Sequence, residues 1–160
     1  MFTKKSLFLF LALLLPVLVF IFLREYGENQ FDVPYLYADG VPARPAGCEF
    51  DYGIPYTVPD SVWSMIATGR PKLVLVRYGG RHSTLDQVTA EIENAGVSVV
   101  DGDSVGGQPD KVKKCFLLLK EPANLVLIDE KRNIRGYYVS GGRDELDRLK
   151  TEVDIILKRY

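Results

Sequence analysis

The sequence predicts an α/β domain, a central mixed sheet flanked by helices, preceded by one transmembrane helix. Three observations predict it. The segment from Ser6 to Leu23 is apolar and carries no charge. Beyond residue 60, short valine- and leucine-rich runs alternate with a segment of helical period, the pattern of a parallel strand pair joined by a helix. The last two apolar runs are close enough to pair as a hairpin, and an amphipathic helix follows them.

The N-terminal run is SLFLFLALLLPVLVFIFL, with Lys4 and Lys5 before it and Arg24-Glu25 after it. At the helical rise it spans roughly 27 Å, close to the hydrocarbon thickness of a bilayer. Pro16 is compatible with such a helix, because membrane helices accept proline more readily than soluble ones. A cleaved signal peptide would have a shorter apolar core and small residues at its cut site. Phe22-Leu23-Arg24-Glu25 offers neither an A-x-A-like site nor a lipobox-type cysteine. The expectation is an uncleaved single-pass anchor over residues 1–24. Lys4 and Lys5 favour a cytoplasmic N-terminus, partly offset by Arg24. That orientation places the rest of the chain in the periplasm or an equivalent extracytoplasmic space.

Residues 25–60 read as an extended arm with short strands. Pro34, Pro42, Pro45, Pro55 and Pro59 punctuate it. Its aromatics, Phe31, Tyr35, Tyr37, Phe50, Tyr52 and Tyr56, are costly to leave in water, so the arm is expected to pack on the domain rather than hang free.

Residues 61–160 form the domain. KLVLVRY, Lys72 to Tyr78, reads as a buried strand ended by Gly79-Gly80. Ser83 caps a helix over 84–94 that carries Leu85, Val88 and Ile92 on one face. Ala95-Gly96 stops it. Val97 to Val100 is a second strand, and 101–109 is a Gly/Asp-rich loop. Residues 110–119 are ambiguous: Val112, Cys115, Phe116 and Leu119 fit a helical stripe, whereas CFLLL alone fits a strand. LVLID (125–129) and IRGYYVS (134–140) make a hairpin. Arg143 to Arg159 is a helix with Leu146, Leu149, Val153, Ile156 and Leu157 on one face. Strand, helix, strand, connection, hairpin and helix is the thioredoxin-like pattern.

Two stretches carry a resemblance. GENQFDVPYLYADGV…PYTVPD behind an anchor helix, and the tail LVLIDEKRNIRGYYVSGGRDELDRLKTEVDIIL, resemble membrane-tethered Sco/SenC proteins from about Glu25 onward. The likeness is strongest after Leu125, where a strand ends at Asp, a turn follows and an RG-aromatic strand begins. The resemblance implies a thioredoxin-like fold, copper binding and assistance in building the copper centre of cytochrome oxidase. In that family the chemistry rests on a CxxxC pair after the first core strand and a later histidine. Aligned by the strand, those cysteines fall near Arg81 and Leu85, and the histidine near Glu121. None of these supplies the soft thiolate that Cu(I) prefers. The frame persists while its reactive site is degenerate.

Net charge is -1, with 20 basic and 21 acidic residues, which gives no electrostatic footprint for nucleic acid. Cys48 and Cys115 are the two cysteines and His82 the one histidine. In an oxidising compartment the cysteines are candidates for a disulfide or redox pair; two separate buried thiols is the alternative. Together with His82 they are the one set available for copper; no other metal or cofactor is expected. His82 and Arg81 lie where a helix begins, a place that favours anions, although a solvent-exposed loop is the simpler reading. DGDSVGGQPD lacks the GK[ST] of a phosphate loop, and Asp101, Asp103 and Asp110 fail the EF-hand spacing. Arg132, Arg135, Arg143 and Arg148 read as a solvated face or a docking surface. Three functions follow: a non-catalytic accessory or assembly factor for respiratory complexes of the cytochrome oxidase type, a copper-handling or thiol redox protein using Cys48 and Cys115, or a structural subunit of a membrane complex. The partners implied are the lipid bilayer and another membrane protein.

Overall fold

The computed structural model describes residues 4–26, 33–80 and 83–158. Two compact units divide the chain, 1–31 and 32–160. The first contains one helix, α1 (Lys4–Tyr26), with Pro16 inside it. Its described side chains, Phe10 and those of 12–24, include exposed Leu13, Phe20 and Leu23. Among the described residues no helix is long and apolar enough to cross a membrane.

The second unit is built on four strands: β1 (Leu73–Arg77), β2 (Val97–Asp101), β3 (Leu125–Asp129) and β4 (Ile134–Tyr138). Their order is β2-β1-β3-β4, with β1 parallel to β2 and antiparallel to β3, and β3 antiparallel to β4. The result is a mixed sheet flanked by helices, compatible with the thioredoxin-like pattern. Central β1 and β3 are buried along their whole length, which is why LVLVR and LVLID read as continuous apolar runs rather than alternating ones.

Alternation along the strands sends side chains to two cores. Leu73, Leu75, Leu125, Leu127 and Tyr138 face α3 (Ser83–Asn94) and the C-terminal helix, and cluster with Leu85, Ile92, Leu146 and Leu149. Val74, Val76, Val126, Ile128 and Ile134 face the other way, toward Tyr56, Val58, Val62, Ile66 and Leu117. That second layer holds α2 (Asp60–Ile66), which the sequence reading leaves unassigned. Its two buried residues, Val62 and Ile66, are one helical turn apart, too short a stripe to announce a helix.

The ambiguous stretch is helical. A turn, α4 (Pro109–Lys111), runs into a π-helical turn, Val112–Phe116. Leu117 N–H donates to Val112 O at 2.9 Å, a π-type bond. The carbonyls left open beyond it are taken by tyrosines. Tyr52 Oη donates to Cys115 O at 2.8 Å, Tyr56 Oη to Phe116 O at 2.6 Å and Tyr137 Oη to Leu117 O at 2.8 Å. A helix end must find partners for its last carbonyls, and here two of the three come from the arm. The arm contributes no strand among the described residues; turns and side-chain packing hold it in place. Tyr37, Phe50, Tyr52 and Tyr56 pack edge-on or tilted against one another, against Tyr137 and against Phe116.

The arm also covers part of the β4 side. Leu36 N–H donates to Ile134 O at 2.7 Å, and Val58 N–H to Arg132 O at 2.9 Å. Arg135 donates to Val33 O and lies 3.6 Å from Asp129, with its side chain 11% exposed. Arg135 is therefore not part of a solvated face. Arg132 pairs with Asp60. The hairpin turn is organised by Asp129, whose Oδ1 accepts from Lys131 N–H at 2.9 Å and Asn133 N–H at 2.8 Å. C-terminal α5 (Arg143–Leu157) ends at Lys158, which is left-handed with φ +53°.

Burial sets a pH limit. Tyr56 and Tyr137, and likewise Tyr78 and Tyr138, have hydroxyl pKa values raised above the ordinary 10.0, in each case first by burial. The folded chain therefore holds these protons more tightly than the unfolded chain. Stability from this source is complete below pH 10 and falls as pH rises above it. In an alkaline titration, tyrosinate absorbance from these residues is expected to appear only together with loss of the fold. A smooth titration of all tyrosines at the ordinary value, with the fold intact, would contradict this packing.

Candidate functional site

The end of the sheet where β1 and β2 finish brings together the segments most able to form a site. β1 ends in Arg77, which is 9% exposed and lies 3.5 Å from Asp86 and 3.9 Å from Asp101. These contacts join the first turn of α3 to the end of β2. Tyr78 follows, and its ring rests on Gly102: a Cβ there would stand 2.5 Å from the ring. That is a packing reason for one glycine of the Gly/Asp-rich loop. Gly79, at φ +88°, turns the chain, and its N–H donates to Asp103 Oδ2 at 2.8 Å. Asp103 N–H in turn donates to Asp101 Oδ1 at 3.1 Å. The acidic loop is thus occupied with its own backbone.

Asn124 binds the same end from the other side. Its Nδ2 donates to Tyr78 O at 3.1 Å and to Ser140 Oγ at 2.7 Å, and its Oδ1 accepts from Ser140 N–H at 2.8 Å. One amide side chain joins the exit of β1 to the loops entering β3 and leaving β4. Beside it a cleft of about 520 Å³ opens between α3 and the start of α5, lined by Thr84, Gln87, Ser140, Gly141, Arg143 and Leu146.

This lining supplies hydrogen-bonding groups and one exposed cation. Ser140 Oγ faces an amide donor rather than a base, so it is not set up as a nucleophile. Among the described residues, no three acidic, histidine or cysteine side chains gather as a metal set.

Of the residues singled out from the sequence, Cys48 and Cys115 are brought together. Arg81 and His82 lie outside the described residues. Leu85 is 2% exposed and belongs to the core between the sheet and α5. Glu121 is exposed in the loop before β3, at a cis bond to Pro122. Cys48 and Cys115 form a disulfide with Cα atoms 5.5 Å apart. Both are buried, at 4% and 3% exposure, and the bond ties the arm to the π-helical turn. Neighbouring Phe116 packs on the core opposite the one that holds Leu85. Sulfurs bonded to each other offer no thiolate to copper. Asn124 and Ser140 escape sequence reasoning, because a lone Asn before a strand signals only a turn.

Compared with known proteins, the chain matches no family model, no curated protein and no solved structure.

Proposed function

We propose that this chain is a membrane-tethered, thioredoxin-like domain that acts by binding, as an accessory or assembly factor for a respiratory complex of the cytochrome oxidase type. It is read as a relative of the Sco/SenC group without that group's thiol chemistry. The anchor is the apolar N-terminal run, and the domain works on the extracytoplasmic side. The strand order and pairing support the thioredoxin-like reading. The respiratory partner is supported by the sequence resemblance.

One observation carries the non-catalytic part. Aligned by its first strand, the second cysteine of the Sco/SenC pattern falls near Leu85, a buried core residue, while both cysteines of this chain are joined in a buried disulfide. A redox protein of this type needs an accessible pair that cycles at moderate potential. Burial of both partners opposes that use.

Co-purification from detergent-solubilised membranes tests the proposal. Respiratory subunits are expected to accompany the tagged chain, and to persist with Cys48→Ser under conditions where that variant stays folded. Recovery of the folded chain without any respiratory subunit would overturn the assembly role.

A further inference from the structure

We infer that the exposed apolar surface of the arm seats on the interfacial layer of the bilayer and holds the domain against the membrane. The inference rests on the membrane tether of the proposed function and adds a second, non-spanning contact to it. Between Val33 and Tyr56 the charges are Asp39, Arg44, Glu49 and Asp51. Tyr35 and Leu36 are 37% and 36% exposed, and Ile54 is 76% exposed. Folding places Ile54 beside that segment. A Cβ added at Gly40 would stand 3.0 Å from Ile54 Cγ1, and Tyr56 N–H donates to Tyr37 O at 3.0 Å. The same two segments send Tyr37 and Tyr56 inward, into the aromatic cluster and toward the carbonyls of the π-helical turn. With that inner side taken by Tyr37 and Tyr56, Tyr35, Leu36 and Ile54 remain exposed to water.

Chain length selects lipid as the occupant. Helix α1 ends at Tyr26, and the described domain opens at Val33. The intervening chain reaches at most about 25 Å when fully extended. A short tether of this kind gives an effective concentration in the millimolar range, so a small apolar surface is enough for occupancy. Tyrosine beside aliphatic side chains suits the headgroup boundary. Because acidic side chains outnumber Arg44 there, the contact depends on apolar burial and not on anionic lipid.

The test uses the full chain reconstituted in phosphatidylcholine vesicles with brominated or ordinary acyl chains. Trp63, the single tryptophan, is replaced by phenylalanine, and a reporter is placed by Ile54→Trp or, separately, Leu36→Trp. Thr151→Trp, on an exposed position of α5, is the control. Brominated lipid is expected to lower emission about twofold at positions 54 and 36, as for side chains at the headgroup–acyl boundary, with position 151 unaffected. The quenching is expected to persist at high salt. Equal emission in brominated and ordinary lipid at positions 54 and 36, in vesicles that carry the chain through flotation, would overturn the seating while leaving the tether standing. Failure of the chain to float with the vesicles would overturn both.

Discussion

Opening the Cys48–Cys115 bond is expected to cost about 4 kcal/mol of stability in the chain-entropy account of a long loop. The bond closes a loop with a sequence separation of 67 residues. It joins the arm, which supplies Tyr56 and Val58 to one core, to the turn whose carbonyls the arm's tyrosines fill. Loss of the link frees the unfolded chain and loosens the arm at once. Cys48→Ser, Cys115→Ser and the double variant should lie close together in chemical denaturation, because each opens the same loop. Reductant should act slowly on the native protein, since both sulfurs are buried. Rapid reduction without loss of structure would support the thiol redox alternative and count against a purely structural bond.

Leu85→Ala is expected to cost about 3 kcal/mol, in the range for emptying a fully buried leucine site. The side chain packs with Leu75, Val88 and Leu146 in the core between the sheet and its two covering helices. Its neighbours on α3, Thr84 and Gln87, face the cleft and are exposed. Their alanine variants should stay within about 0.5 kcal/mol of the parent. The contrast is diagnostic. A position kept for surface chemistry would tolerate alanine, whereas a core position would not. Urea unfolding of the three variants reads it directly, and a cost at Leu85 no larger than at Thr84 would remove the main support for a non-catalytic domain.

Much of the fold was legible because its signals are local. Leu85, Val88 and Ile92 recur at helical spacing, and α3 buries all three together with Thr89. Leu146, Leu149 and Val153 do the same in α5. Residues 125–129 and 134–140 read as a hairpin, and 125–129 pairs with 134–138. Of the arm's aromatics expected against the domain, Tyr37, Phe50, Tyr52 and Tyr56 pack there, Tyr35 is exposed, and Phe31 lies outside the described residues. The arginines were less legible. Arg135 and Arg148 look alike in sequence, yet Arg135 holds the arm at Val33 O, while Arg148 lies over the Tyr138 ring at 4.8 Å.

The candidate site was hardly legible. Arg81, His82, Leu85 and Glu121 were placed by alignment of a strand, which transfers position but not environment. The groups that organise that end of the sheet, Arg77, Asn124 and Ser140, carry no motif. Their importance comes from contacts between segments as distant as Tyr78 and Asn124.

From sequence alone came the apolar N-terminal run, the four strands and the stripes of α3 and α5, since periodicity needs only neighbouring residues. Tertiary structure alone decided that Cys48 meets Cys115, that tyrosines cap a π-helical turn, and that one asparagine joins the exits of β1 and β4 to the entry of β3. Those outcomes depend on which distant surfaces share a core. The free energy of such packing is summed over both partners and is written in neither segment by itself.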